Sequence, residues 1–249
     1  MRVVAWNCHD RLDRKLSGLM GLAPDIAVVS EVGEADLHAL PQGVSAVWTG
    51  DPQGGKGLAV LGFDGWGLTP APSCEERWFL PVTAVRQNQT LRVLGVWTLP
   101  AKDYVAPTVR ALTQLGDFLA EGDSLCAGDF NQNVRWDPGR SPSRRFAHVL
   151  ERFEALGLRS VWHEHHGEAH GAESQATHFH RWSSQSPYHI DYVFASRALA
   201  ARVPLGHPRL TPRLGGGQDQ RSCAAVRGVR GGVGRRVSVI RRLLVGDGI

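Results

Sequence analysis

A chain of 249 residues, 42% hydrophobic and 21% charged, is long enough to bury a sizeable core as one large domain or two small ones. Its formal charge of +4 is unevenly spread. Seven of the 28 Lys and Arg lie in residues 221–249 against one acid, Asp247, which leaves 21 basic and 23 acidic residues in the body. That balance excludes a broad electrostatic footprint for nucleic acid over the body, while leaving room for a local basic groove.

The opening stretch, MRVVAWNCHD, turns polar within six residues and does not read as a secretory signal. No window approaches the ~20 apolar residues that span a bilayer. β-like runs then follow at RVVAW (2–6), DIAVVS (25–30), SAVWTG (45–50), GLAVLGF (57–63), LRVLGVW (91–97), SLCAG (124–128) and IDYVFA (190–195). Each is short, rich in branched and aromatic residues, and bounded by Gly, Pro, Asp or Asn. Helical periodicity appears at 12–22, with Leu12, Leu16, Leu19, Met20 and Leu22. It recurs at 105–120, with Val109, Leu112, Leu115, Phe118 and Leu119, and again at 143–156. Strands joined by both short loops and helices predict mixed sheets covered by helices, an α/β sandwich. Residues 163–180 carry six of the eleven histidines in a polar stretch that reads as a long surface loop, and 227–249 read as an Arg-rich extension outside the fold. Four scattered cysteines, Cys8, Cys74, Cys126 and Cys223, contain no CxxC pair and read as reduced thiols in a cytoplasmic, monomeric protein.

Polar residues stand where several apolar runs stop: Asn7 after VVAW, Glu31 after DIAVVS, Asp129 and Asn131 after SLCAG, and His189 and Asp191 around Ile190. Side chains at strand ends project from a sheet's rim, where sites on α/β scaffolds lie. Residues two apart in a strand share a face, which would aim Asp129 with Asn131 and His189 with Asp191. Taken singly, each has a plain structural reading. Asp-x-Asn after a strand is most often an Asx-turn, Glu31 suits a helix N-terminus, and a neighbouring His and Asp are more often a structural pair than a catalytic one. Their order along the chain carries the functional reading.

In that order, VVAWNC, DIAVVSEV, GKGLAVL, CAGDFNQN and HIDYVFA resemble the successive motifs of the endonuclease/exonuclease/phosphatase superfamily, the deoxyribonuclease-I-like proteins. The resemblance runs over 1–226. It implies a four-layer α/β sandwich, with two mixed sheets face to face and helices outside, and a Mg2+-dependent phosphoester hydrolase, with Mn2+ as the alternative ion. Nucleic acid is the first substrate class; a small-molecule or lipid phosphoester is the alternative. By resemblance Glu31 is the principal metal ligand, with Asn7 and Asp219 beside it. Asp129 orients or deprotonates the attacking water, and Asn131 donates to the phosphoryl group. Asp191, with His189 nearby, belongs to the catalytic set, and Trp97, Arg110 and Asn133 are candidate substrate contacts.

Two positions depart from the family pattern. The closing Ser-Asp-His motif is matched best by GGGQDQRS, which puts Gln220 where the histidine stands, and Trp97 occupies a place held by Tyr or His in relatives. Glutamine donates a hydrogen bond but cannot carry a proton near neutral pH. A weakened enzyme, or a relative that binds a phosphorylated ligand without turning it over, is therefore an alternative. The histidine cluster fits three readings: a zinc site, a phosphate-binding loop with Arg181, or a solvated loop. Trp136, Trp162 and Trp182 fit either base stacking or core completion. The Arg-rich tail fits RNA, anionic lipid or a plain extension, and VSVIRRLLV is apolar enough to dock.

Overall fold

The computed structural model describes residues 1–51, 55–99, 103–179 and 185–201, together with the backbone of Ser238–Ile240. In chain order the elements are β1 (Arg2–Asn7), α1 (Leu12–Gly21), β2 (Ile26–Val32), β3 (Ser45–Gly50), β4 (Gly57–Gly62), β5 (Gly67–Pro70), β6 (Phe79–Arg86) and β7 (Gln89–Trp97). Next come α2 (Val105–Gln114), α3 (Gly116–Ala120), β8 (Ser124–Asp129), α4 (Phe146–Ala155), β9 (Leu158–Ser160) and α5 (Val161–His166). The last are β10 (His178–Phe179), β11 (Pro187–Tyr188), β12 (Asp191–Ser196), α6 (Arg197–Ala200) and β13 (Ser238–Ile240).

Two large mixed sheets result, one ordered β13-β1-β2-β4-β3 and the other β5-β6-β7-β8-β12-β9. Alternation along each strand divides their side chains between two faces. Val3 and Ala5, Ile26 and Val28, and Leu58 and Val60 from the first sheet meet Val82, Val93, Leu125, Ala127, Val193 and Ala195 from the second. The opposite face of the first sheet, with Trp6, Val29 and Leu61, is covered by Leu12 and Leu19 of α1. The opposite face of the second, with Leu94, Val96, Cys126 and Phe194, is covered by α2, α3 and α4 through Leu112, Phe118, Val149 and Phe153. The expected four-layer sandwich is thus observed. Strands buried on both faces explain why the β-runs are continuously apolar rather than alternating.

Three expectations are revised. The 105–120 helix is broken at Leu115 into α2 and α3. The stretch expected as a long histidine loop begins with α5 and includes β10. Within the expected extension, Ser238–Ile240 runs parallel to β1 as an edge strand of the first sheet; the rest of 227–249 lies outside the described residues. Among the described residues no helix is long and apolar enough to cross a membrane, and Cys8, Cys74 and Cys126 are free thiols.

Candidate active site

β1 runs parallel to β2 and β7 parallel to β8, and the last residues of β1 and β8, Asn7 and Asp129, meet across the sandwich. The polar residues at their ends therefore gather on one rim. Asn7 ends β1, and its Nδ2 donates to Glu31 Oε1 at 2.6 Å and to Asp129 Oδ2 at 2.9 Å. One amide nitrogen thus ties together carboxylates from two sheets. The other oxygen of Asp129, Oδ1, accepts the backbone N–H of Asn131 at 3.0 Å. Turn and site coincide here: the Asx-turn uses one carboxylate oxygen and leaves the other facing Asn7. The side chain of Asn131 donates to the Thr98 carbonyl at 2.9 Å, and Thr98 Oγ1 donates to the Phe130 carbonyl.

Local backbone features aim these groups. Gly128 has φ +144°, and a Cβ there would lie 1.9 Å from the Val96 carbonyl oxygen, so the glycine of GDFN is required by the approach of β7. Glu31 sits at a register shift in the β2–β4 pairing with φ 57°, and Asn131 has φ 48°. A bulge re-aims a side chain at a strand end, and left-handed backbone outside glycine is found where surrounding structure enforces it. His9, Asp10 and Arg11 are also left-handed, and buried Lys15 stabilises their loop. Its ammonium donates to the carbonyls of Cys8, His9 and Asp10 at 2.9, 3.2 and 3.1 Å. Burial pushes the Cys8 thiol up to about 12, so it is no nucleophile at neutral pH.

Glu31 has further partners that the sequence reading did not single out. Lys56 Nζ lies 2.9 Å from its Oε2 and 3.0 Å from Asp10 Oδ2, and His9 Nδ1 lies 3.3 Å from Oε2. Burial raises the Glu31 carboxyl, but hydrogen bonds from Asn7 and Lys56 and the adjacent positive charge outweigh it and hold the group below its ordinary range. Lys56 lies inside GKGLAVL, so a lone cation between glycines ahead of a buried strand was its available signal. Tyr104 was also missed: burial raises its phenol, the charge of Asp129 raises it further, and Arg140 opposes. Arg140 in turn donates to Gln132 Oε1 at 3.2 Å.

Trp97, Asp129 and Asp191 stand opposite one another across β7, β8 and β12 and share the face turned toward the other sheet. Trp97 is buried against Trp78, with ring centroids 4.8 Å apart, and its Nε1 has no hydrogen-bond partner among the described residues. Ile190 and Asp191 donate their backbone N–H groups to Thr177 Oγ1 at 2.9 and 3.0 Å.

Three expected site residues are placed differently. β12 begins only at Asp191, so strand alternation does not extend back to residue 189. The His189 ring instead lies among Trp162, His163 and Tyr192, 4.9 Å from the last, on the side of the sheet opposite Asp191's row. Asn133 is buried and structural, donating to the His189 carbonyl at 3.0 Å and to Glu173 and Tyr192 at 3.2 Å. Arg110, exposed on the outer side of α2, pairs with the Glu76 carboxylate through the Nε–Nη2 edge of its guanidinium. Asp219 and Gln220 lie outside the described residues.

Known structures share this arrangement of sheets. An AP endonuclease from Archaeoglobus fulgidus superposes with TM-score 0.58 at 18% identity, covering 86% of this chain and 92% of its own. A 3′–5′ exonuclease from Neisseria meningitidis gives 0.55 at 19%, covering 81% and 89%. The endonuclease domain of TRAS1, a telomere-specific non-LTR retrotransposon, gives 0.58 at 14%, covering 79% and 85%. At such identities the likeness speaks for the fold alone. A search of curated proteins finds no match. The Endonuclease/Exonuclease/phosphatase family model matches residues 5–219, a span that takes in every strand-end residue of the rim just described, and by that match the chain belongs to this family.

Proposed function

We propose that this chain is a Mg2+-dependent phosphoester hydrolase, with Mn2+ the alternative ion, and that nucleic acid is its substrate class. The family is one of nucleases and phosphatases, and the similar structures named above include an endonuclease and an exonuclease, which supports the coarse reading. The observation that carries it is the single Asn7 nitrogen joining Glu31 to Asp129.

The donor set fits a hard cation. Carboxylate oxygens at a half-buried rim suit Mg2+, which keeps few protein ligands and several waters. Glu31 would hold it, with Asp219 a further candidate ligand; Asn7, as oriented, offers nitrogen to the carboxylates while its Oδ1 accepts the His9 N–H at 3.0 Å. When bound, the ion supplies Lewis-acid stabilisation of phosphoryl charge. The chain's own groups do the rest. Asp129, fixed by Asn7 and the Asn131 N–H, takes the proton of the attacking water. Asn131 has a second amide hydrogen for a phosphoryl oxygen, and Tyr104, whose phenol feels the charges of both Asp129 and Arg140, is a further substrate contact.

A second reading, a relative that binds a phosphorylated ligand without turning it over, is favoured by buried Trp97, which offers no acid or base, and by Gln220. Hydrolysis of a chromogenic phosphodiester and of DNA, with and without Mg2+, decides between them. We expect low metal-dependent activity that rises at least ~10-fold in Gln220→His, at the cautious end of acid–base contributions. No hydrolysis by either protein, with a phosphorylated ligand still bound, would give the second reading instead.

A further inference from the structure

Away from the rim, the segment that follows β9 folds three potential donors onto one point. His163, His170 and Glu173 each place a ligand atom within 4.8 Å of the others. We propose that these three residues form a transition-metal site, with Zn2+ the ion its chemistry fits, separate from the Glu31–Asp129 rim. The inference does not depend on the phosphoesterase reading.

Two imidazoles and one carboxylate are the donor mixture of zinc, cobalt and nickel sites rather than of Mg2+, whose ligands are oxygens. The supporting shell is already in place. Ser160 Oγ lies 2.6 Å from His163 Nδ1, which leaves Nε2 directed at Glu173 Oε1, 3.2 Å away. Glu173 is itself held by the Gly171 N–H at 2.9 Å and by Asn133 Nδ2 at 3.2 Å from each carboxylate oxygen, and its side chain is 3% exposed. A second shell that fixes ring tautomer and carboxylate orientation is the usual companion of a metal site. Nδ1 of His170 is buried and has no hydrogen-bond partner among the described residues. An ordinary histidine–glutamate ion pair would account for His163 but not for a second ring stacked on it with centroids 3.5 Å apart.

Ligands around zinc stand at 2.0–2.2 Å from it, so the three atoms must draw inward by roughly an ångström and the stacked rings must splay until both planes meet the ion. Ligation through Nε2 requires the His163 tautomer that carries the ring proton on Nδ1, where the Ser160 hydroxyl accepts it. Three protein ligands leave a fourth position for water. The consequence reaches the rim, because Glu173 joins Asn133 and the same segment leads to Thr177, whose hydroxyl holds the backbone of Asp191.

The test uses the full chain, stripped with a chelator and titrated with Co2+ as a spectroscopic stand-in for Zn2+. We expect one saturable equivalent with the strong visible absorption of four-coordinate Co2+, displaced by Zn2+. It should be kept in Glu31→Gln, lost in His170→Ala and weakened at least tenfold in Glu173→Gln, which keeps an oxygen for Asn133. Zn2+ should raise the Tm of the parent and of Glu31→Gln but not of His170→Ala. Absence of a saturable equivalent, its survival in His170→Ala, or its loss in Glu31→Gln would overturn the site; if only one of the His170 and Glu173 variants folds, that one decides.

Discussion

The two polar clusters are built in opposite ways. The Glu31–Asp129 rim draws its members from three strands and both sheets, with Asn7 and Asp129 standing 122 positions apart, whereas His163, His170 and Glu173 lie within eleven consecutive residues. The rim is anchored by the rigid sandwich and is made of oxygen donors with one bridging amide. The local cluster is anchored by side-chain hydrogen bonds to Ser160 and Asn133 and is dominated by nitrogen. A site that depends on topology fails when the strands are displaced. A site built within one segment fails when its own shell is cut. Each can therefore be broken while the other is kept.

The largest effect should come from the rim's chemistry. Asp129→Asn keeps the shape and one of the two hydrogen-bond acceptors but removes the carboxylate that takes the proton, so phosphodiester hydrolysis should fall by about 10²- to 10⁴-fold. Far-UV circular dichroism should stay near the parent's, with Tm lowered only by the one lost buried hydrogen bond, about 1–3 kcal/mol. A variant that retained more than a tenth of the parent rate would remove Asp129 from the chemistry.

Next in size is the backbone that aims that acid. Gly128→Ala adds a Cβ 1.9 Å from the Val96 carbonyl oxygen at a φ of +144°, so β7 and β8 must separate or the chain must turn. We expect destabilisation of about 3 kcal/mol or more, as for other overpacked and strained positions. Chemical denaturation measures it directly, and a loss under 1 kcal/mol would mean that the strand pair adapts. Asn133→Ala probes the junction between the clusters. It leaves the buried His189 carbonyl without one donor and frees Glu173, which should cost about 2 kcal/mol and weaken Co2+ binding at the histidine site, with little change at the rim. An unchanged Tm and Co2+ affinity would show that Asn133 supports neither.

How far the sequence reveals each region follows from the same contrast. The β-runs were legible because strands buried on both faces are continuously apolar, and the rim was legible because polar residues stop those runs at family-like spacing. β6 was not, since Pro81 interrupts FLPVTAVR even though the strand continues from Phe79 to Arg86 beside β7. The pairing of His189 with Asp191 assumed a strand that had not yet begun. Asn133 shares its amide chemistry with Asn131, and only burial distinguishes a structural donor from a reactive one. Glu173 carried no signal at all, because its role depends on how the chain after α5 turns back on itself.

Lys56 gives the finest comparison, since its ammonium already sits on the carboxylate that is proposed to hold the metal. A cation on Glu31 Oε2 competes with any ion that uses the same oxygen, so Lys56→Met should lower the Mg2+ concentration for half-maximal activity, by roughly three- to tenfold for a partly exposed pair of this kind. Removing Lys56 also takes away one of the influences that hold the Glu31 carboxyl low, yet the hydrogen bond from Asn7 remains. Glu31 therefore stays ionised at neutral pH, and the expected direction is tighter metal binding rather than its loss. The measurement is a Mg2+ titration of the initial rate, carried out in Gln220→His if the parent is too slow. A higher Mg2+ requirement in Lys56→Met would reverse the assignment and make Lys56 the residue that positions Glu31. The same shift in maximal rate with no change in metal dependence would place its ammonium on the substrate phosphate.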